Sequence, residues 1–181
     1  MCMITINQVT TKTGDFGQTL GAGCEKTSKY SIDIEFLGKL DEVNCNIGFV
    51  ILNTTDKNDL ELLNLIQNQI FDLGSFFYKQ EILDFSIWIL KLEQEIERYN
   101  KSLPTLKSFL LPQGNTQTMY LHLARTGARN VERVFWSYYD NGNNKNIKNI
   151  ELIGKYLNRL SDYFFTLLRR DSKILWEQEI I

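Results

Sequence analysis

Residues 121–135, Leu-His-Leu-Ala-Arg-Thr-Gly-Ala-Arg-Asn-Val-Glu-Arg-Val-Phe, decide the fold class of this chain. Their apolar members recur at steps of three and four, which is the spacing of one face of an α-helix. Four other stretches repeat the spacing. The five apolar series are Phe36, Leu40, Val43, Ile47, Val50; Leu63, Ile66, Ile70, Leu73; Phe85, Ile89, Leu92, Ile96, Tyr99; Leu121, Ala124, Ala128, Val131, Phe135; and Ile153, Leu157, Leu160, Phe164, Leu167.

Five amphipathic helices with short connections predict an all-α protein folded as a five-helix bundle. Proline occurs only at positions 104 and 112, so the rest of the chain is free to form long helices. We expect Asp56 to cap the second helix and residues 102–115 to form a loop. The prediction is a single domain over residues 1–181, with an N-terminal segment at 1–29 and the bundle at 30–175.

The composition is that of a globular protein. Hydrophobic residues make up 43% of the 181 residues and charged residues 23%, with a net charge of −2. This balance argues against nucleic-acid binding and against binding to anionic membranes. No apolar run is long enough to span a bilayer, and no secretory signal is recognisable. Since Cys2, Cys24 and Cys45 are scattered, we expect no disulfide framework, no zinc site and a cytoplasmic location.

Residues 8–29 do not follow the helical pattern. They are rich in glycine and threonine and include Lys12 and Lys26. We expect a flexible loop. Glycines let backbone N–H groups approach an anion, and lysines and hydroxyls add donors, so phosphate binding is one interpretation and a plain flexible arm is the other. The Walker pattern is absent.

Charged or polar residues border the apolar stripes of three helices. Arg125, Arg129 and Glu132 lie within about 60° of one another on the fourth helix. Asp41 on the first helix and Asn158 on the fifth have similar positions. One interpretation is solvated helix faces. The alternative, favoured by their place beside the stripes, is a subunit contact or a pocket.

Six segments of the chain resemble the motifs of one family, in the order in which that family has them. They are Thr11-Lys-Thr-Gly-Asp-Phe-Gly-Gln-Thr19, Lys26, Glu35-Phe-Leu-Gly-Lys-Leu-Asp-Glu-Val-Asn44, Leu103-Pro-Thr-Leu-Lys-Ser-Phe-Leu-Leu-Pro112, His122-Leu-Ala-Arg-Thr-Gly-Ala-Arg-Asn-Val-Glu-Arg133 and Tyr156-Leu-Asn-Arg-Leu-Ser-Asp-Tyr-Phe-Phe165. The chain therefore resembles, nearly end to end, the PduO-type ATP:cob(I)alamin adenosyltransferases, or corrinoid adenosyltransferases.

The resemblance implies an enzyme. Its expected reaction transfers the 5′-deoxyadenosyl group of ATP to the cobalt of cob(I)alamin or a related corrinoid, with triphosphate as the leaving group and Mg²⁺ on the nucleotide. The expected assembly is a homotrimer with ATP at the subunit contacts. A reductase and an adenosylcobalamin-dependent acceptor enzyme are its expected further partners.

The resemblance also assigns residues. Those expected around the triphosphate and its Mg²⁺ are Thr11, Lys12, Thr13, Gly14, Asp15, Gly17, Thr19 and Lys26. Arg129, Glu132 and Asn158 would hold the nucleotide. Asp41 would pair with Arg125 near the corrinoid, and Phe109 would stand beneath the corrin ring. Arg129, Arg125, Asp41 and Phe109 are thus the residues assigned to catalysis, and no set of protein ligands for a metal ion is expected.

Two departures from the family pattern keep an alternative open. Asn130 stands where the family has a second arginine, and Gln113 follows Pro112 where the family has glycine. A chain that binds ATP and corrinoid without catalysis, and escorts the cofactor instead, is the competing hypothesis. A helical assembly protein with no ligand is a third. The intact motif from Lys12 to Thr19 disfavours it.

Overall fold

The computed structural model describes residues 10, 12, 14–21, 25–79, 83–141 and 150–177. Five helices account for most of them, which confirms the predicted all-α bundle. The elements are β1 (Gln18–Leu20), β2 (Lys26–Ser28), α1 (Ile32–Leu52), α2 (Lys57–Lys79), α3 (Phe85–Asn100), α4 (Thr116–Asp140) and α5 (Glu151–Leu168). In this described part of the chain, no helix combines the length and the apolar character needed to cross a membrane.

Helix α4 is the central element of the bundle. It runs antiparallel to α1: the rings of Phe49 and Tyr120 stack 4.8 Å apart near one end, and those of Phe36 and Phe135 lie 5.9 Å apart near the other. Its other side packs against α5. A methyl group at Gly127 would lie 3.2 Å from the side chain of Val43. Small residues on α4 therefore let the two backbones approach closely.

The predicted apolar stripes form the core. Every residue of the five series is buried except Ile96, which is partly buried and packs against the core. Burial of one large apolar side chain contributes about 1.5–3 kcal/mol, so these stripes supply the main driving force for folding. Helical periodicity alone was enough to find them.

Side-chain caps define where three helices begin. The Asp56 carboxylate accepts hydrogen bonds from the backbone N–H groups of Asn58 at 2.9 Å and Asp59 at 3.1 Å, which confirms the predicted cap of α2. Asp84 caps α3 in the same way, and Asn115 caps α4. Each cap satisfies donors that the first helical turn leaves unpaired. The predicted loop therefore ends where α4 is capped.

The N-terminal segment contains a short hairpin that the sequence pattern did not predict. Strands β1 and β2 pair antiparallel, with Thr19 opposite Thr27. Gly17, just before β1, has a φ of +75°, a conformation that glycine adopts without strain. Strands of three residues are too short to show an alternating apolar pattern, so the sequence pattern could not predict them.

Gly154 permits the close packing of α5 on Trp136, and its replacement tests this. A methyl group at Gly154 would overlap the indole ring of Trp136. We expect Gly154→Ala to lower the free energy of unfolding, because overpacking costs about 1–3 kcal/mol and outweighs about 1 kcal/mol of helix propensity. Chemical denaturation measures the change. In the control, Gly74→Ala, the new methyl group would lie 3.7 Å from Leu37, and stability should rise slightly. Equal stabilisation by both variants would contradict the packing argument.

Candidate active site

Three arginines form a row along α4. Arg125, Arg129 and Arg133 are spaced four residues apart, and none forms an ion pair with any described residue. By contrast, Arg98, Arg159 and Arg170 each have a carboxylate partner. The row is thus a concentration of positive charge that the described part of the chain leaves uncompensated.

The surroundings of Arg125, the first arginine of this row, disfavour its positive charge. Burial, and then the neighbouring charge of Arg129, lower the pKa of Arg125. The Nε atom of Arg125 is buried and has no hydrogen-bond partner within the described ranges. An anion at this face would relieve both the repulsion and the missing hydrogen bond.

A groove of about 460 Å³ lies beside the row, between α1 and α4. Its lining residues are Glu42, Asn46, Leu123, Thr126, Gly127, Arg129, Asn130 and Arg133. The groove carries two guanidinium groups against one carboxylate. Asn130 adds a neutral amide to this lining, at the position where the resemblance implies a third positive charge.

Glu132 and Asn158 meet across the contact between α4 and α5. The Asn158 Nδ2 group donates to the two carboxylate oxygens of Glu132, at 3.3 and 3.5 Å. The Asn158 Oδ1 atom accepts from Arg159 Nη1 at 2.9 Å. The fold therefore brings together two predicted nucleotide-binding residues that lie on different helices. Both side chains are half-buried.

Phe109 projects into solvent from the loop before α4, with 79% of its surface exposed. The backbone of this loop pairs with the segment after α5. Trp176 N donates to Phe109 O at 2.8 Å, and Leu111 N donates to Ile174 O at 3.0 Å. The Trp176 ring lies 6.3 Å from that of Phe109. Nothing in the sequence places Trp176 beside this loop.

Asp41 and Arg125 do not pair within one chain. Asp41 is exposed on α1 and forms no ion pair with any residue in the described ranges. The pairing expected from the resemblance is therefore not formed in this structure of a single chain.

His122 is buried, and burial, followed by the charge of Arg125, lowers its pKa. Its imidazole is consequently neutral at neutral pH. Neither ring nitrogen has a hydrogen-bond partner among the described residues. A buried ring of this kind offers no accessible base to a substrate.

The predicted phosphate-binding residues lie in and before the hairpin. A cavity of about 230 Å³ is lined there by Gly14, Gln18, Thr19, Leu20 and Lys26. Lys12, Asp15 and Gly17 are exposed. Thr11 and Thr13 lie outside the described residues. From the described residues of the segment 14–30, no hydrogen bond or ion pair reaches Arg129, Glu132 or Asn158. Within the described residues, these two groups of predicted site residues are therefore not bonded to each other.

Comparison with known proteins gives the class to which this fold and site belong. A family model described as cobalamin adenosyltransferase matches residues 9–170. The corrinoid adenosyltransferase of Bacillus subtilis is 36% identical over 167 residues, covering 88% of this chain and 83% of that protein. The corrinoid adenosyltransferase of Mycobacterium tuberculosis is 32% identical over 186 residues, covering 96% and 94%. The chain belongs to the cobalamin adenosyltransferase family.

Solved structures give the same assignment. One of them is a phenylalanine-to-alanine variant of a PduO-type ATP:corrinoid adenosyltransferase from Lactobacillus reuteri, complexed with cobalamin and ATP. It superposes on this chain with a TM-score of 0.83 at 26% sequence identity. The match covers 94% of this chain and all of that chain. An arginine-to-lysine variant from the same organism, complexed with ATP, gives 0.80 at 28% identity, covering 93% of this chain and all of that chain. The family predicted from the six motifs is confirmed.

Proposed function

We propose that this protein transfers the 5′-deoxyadenosyl group of ATP to the cobalt of cob(I)alamin or a related corrinoid, giving the adenosylated corrinoid and triphosphate. The observation that carries the proposal is the row of Arg125, Arg129 and Arg133, which has no carboxylate partner among the described residues. A polyphosphate is the substrate group that such a row suits best.

The reaction requires little covalent chemistry from the protein itself. The cobalt electron pair of the substrate attacks C5′, the bond between C5′ and the phosphate oxygen breaks, and its electron pair leaves on triphosphate. No proton moves, so a neutral, buried His122 is no obstacle. The protein must align the two substrates and stabilise the charge that grows on the leaving group.

Each cluster has a role in this task. Arg129, with Lys12 and Lys26, faces the charge of the triphosphate, together with the backbone N–H groups around Gly14 and Gly17. Glu132 and Asn158 hold the nucleoside. Phe109 lies under the corrin ring and excludes the lower axial ligand, which makes the preceding reduction of Co(II) easier.

Mg²⁺ belongs to the proposal as an ion carried by ATP. Within the described ranges, no three histidine, cysteine or acidic side chains are close enough to hold a metal ion. Mg²⁺ commonly keeps several waters and binds through substrate phosphates with one or two protein oxygens. Asp15 and Thr19 are the oxygen donors beside the hairpin cavity that would complete such a site.

We expect the assembly to be a homotrimer, because Asp41 and Arg125 have no ion-pair partner among the described residues and no described hydrogen bond links the hairpin to Arg129. In a trimer a neighbouring subunit would complete the site. Light scattering should give about three times the chain mass of 21.2 kDa. Asp41→Ala should weaken the assembly, whereas Glu97→Ala, which removes a carboxylate paired with Lys101 on the surface, should not. A stable monomer at micromolar concentration would contradict a shared site.

An anaerobic spectrum distinguishes the enzyme from the escort hypothesis. With ATP and Mg²⁺, adenosylation replaces the cob(I)alamin absorption by that of an alkylated cobalt, whereas binding alone leaves the corrinoid unalkylated.

The proposed further partners are a reductase that supplies Co(I) and an acceptor enzyme that receives the adenosylated product. A cytoplasmic location stays a prediction from the scattered cysteines, of which Cys45 is exposed and free.

A further inference from the structure

The amide of Asn158 is held at both ends. Its Nδ2 group faces Glu132 on α4, at 3.3 Å from Oε1, and its Oδ1 atom faces Arg159, at 2.9 Å from Nη1. An amide that donates at one end and accepts at the other cannot turn over without losing both interactions. Arg159 therefore fixes how Asn158 is presented to Glu132.

Arg159 is in turn held from a different helix. Its Nε atom donates to Glu93 Oε1 on α3 at 2.8 Å, and Lys155 lies 3.6 Å from the same oxygen. The hydrogen bond from Arg159 lowers the pKa of Glu93, and the same bond raises the pKa of Arg159. Both groups are charged at neutral pH, which makes this a charge-assisted hydrogen bond.

The Asp162 carboxylate competes with Asn158 for the guanidinium group of Arg159. Asp162 lies one turn farther along α5, with Oδ2 3.3 Å from Arg159 Nη1, the nitrogen that also serves Asn158. Glu93 binds Nε and leaves Nη1 shared between these two acceptors. Without Glu93, the guanidinium group is free to turn toward Asp162 and to release Asn158.

We infer that Glu93 is a positioning residue for the nucleotide site, acting through hydrogen bonds that run from Glu93 to Arg159, Asn158 and Glu132. This inference rests on the proposed function, because it takes Asn158 and Glu132 as nucleotide-binding groups. Glu93 lies outside the six motifs that carry the family resemblance. Its role follows only from the packing of α3 against α5.

The inference predicts a specific kinetic signature. The Glu93 and Arg159 side chains are 38% and 31% exposed, and ion pairs so exposed add little stability. A displacement of about 1 Å in a binding group, however, costs up to roughly 100-fold in activity. Glu93→Ala should therefore raise the KM and the Kd for ATP about tenfold, leave the KM for cob(I)alamin unchanged and change kcat less than about threefold. The melting temperature should stay nearly constant.

Two variants serve as controls. Glu95→Ala removes a carboxylate from the same helix that pairs with Arg98 and not with α5, so ATP affinity should be unchanged. Glu93→Gln keeps an oxygen that accepts from Arg159 and should return the Kd for ATP to within about threefold of the original value. Calorimetric titration with ATP and steady-state kinetics provide the measurements.

Three results would overturn the inference: Glu93→Ala binding ATP as tightly as Glu95→Ala, equal increases in the KM of both substrates, or a loss of stability that accounts for the loss of affinity. If Glu93→Ala does not fold, Arg159→Lys replaces it. Its ammonium group cannot span Glu93 and Asn158, so weaker ATP binding than in Glu93→Gln supports the inference and equal binding overturns it. If the unaltered protein forms no adenosylated corrinoid, the proposed function fails, while the ATP titrations still decide the role of Glu93.

Discussion

Replacing Arg129 with alanine should lower the rate of adenosylation by roughly 30- to 1,000-fold, which corresponds to about 2–4 kcal/mol of transition-state stabilisation. Arg129 is exposed beside the groove and has no carboxylate partner among the described residues, so its charge is available to the leaving triphosphate. Loss of a preorganised donor at the point where charge grows has an effect of this size. Anaerobic stopped-flow spectroscopy with cob(I)alamin measures it.

Two further variants make this result specific. Arg129→Lys should recover only part of the rate, because an ammonium group lacks the planar pair of donors. Lys101→Ala removes an exposed cation that pairs with Glu97 on α3, and its rate should be unchanged. Adenosylation by Arg129→Ala at nearly the original rate would exclude Arg129 from the nucleotide site.

Replacing Phe109 with alanine should abolish adenosylation in an assay that starts from cob(II)alamin and a reductant. An alanine leaves room for water or the lower base to remain on cobalt, and such a ligand stabilises Co(II) relative to Co(I). The loss should be smaller with pre-reduced cob(I)alamin, since Co(I) disfavours axial ligands. With ATP and cob(II)alamin, the original protein should show a four-coordinate Co(II) spectrum that is much weaker in the variant.

The structure makes Phe109→Ala a clean substitution. Phe109 is 79% exposed, and its loop is held by backbone hydrogen bonds to Ile174 and Trp176 that do not involve its side chain. The fold should therefore survive. Phe71→Ala, on α2, removes another exposed phenylalanine and should leave the reaction unchanged. An equal four-coordinate signal in Phe109→Ala and the original protein would reduce Phe109 to a packing residue.

The sequence by itself determined the helices, their buried faces and the family. Apolar spacing is a property of consecutive residues, so the stripe from Leu121 to Phe135 defines α4 and its buried side before any partner helix is known. The cap at Asp56 is equally local. The motifs added the candidate residues, because chemistry at the site is carried by particular side chains in a fixed order along the chain.

Only the tertiary structure decided which of these residues meet. Asn158 contacts Glu132 across 26 positions, Arg159 contacts Glu93 across 66, and the loop of Phe109 is bonded to the tail across 68. Such contacts depend on how helices dock, and periodicity reports only which face of a helix is buried, not which residue of a neighbouring helix lies opposite. The polar residues that border the apolar stripes of α3, α4 and α5 look alike in sequence. Only the packing of these helices joins them in one hydrogen-bonded network.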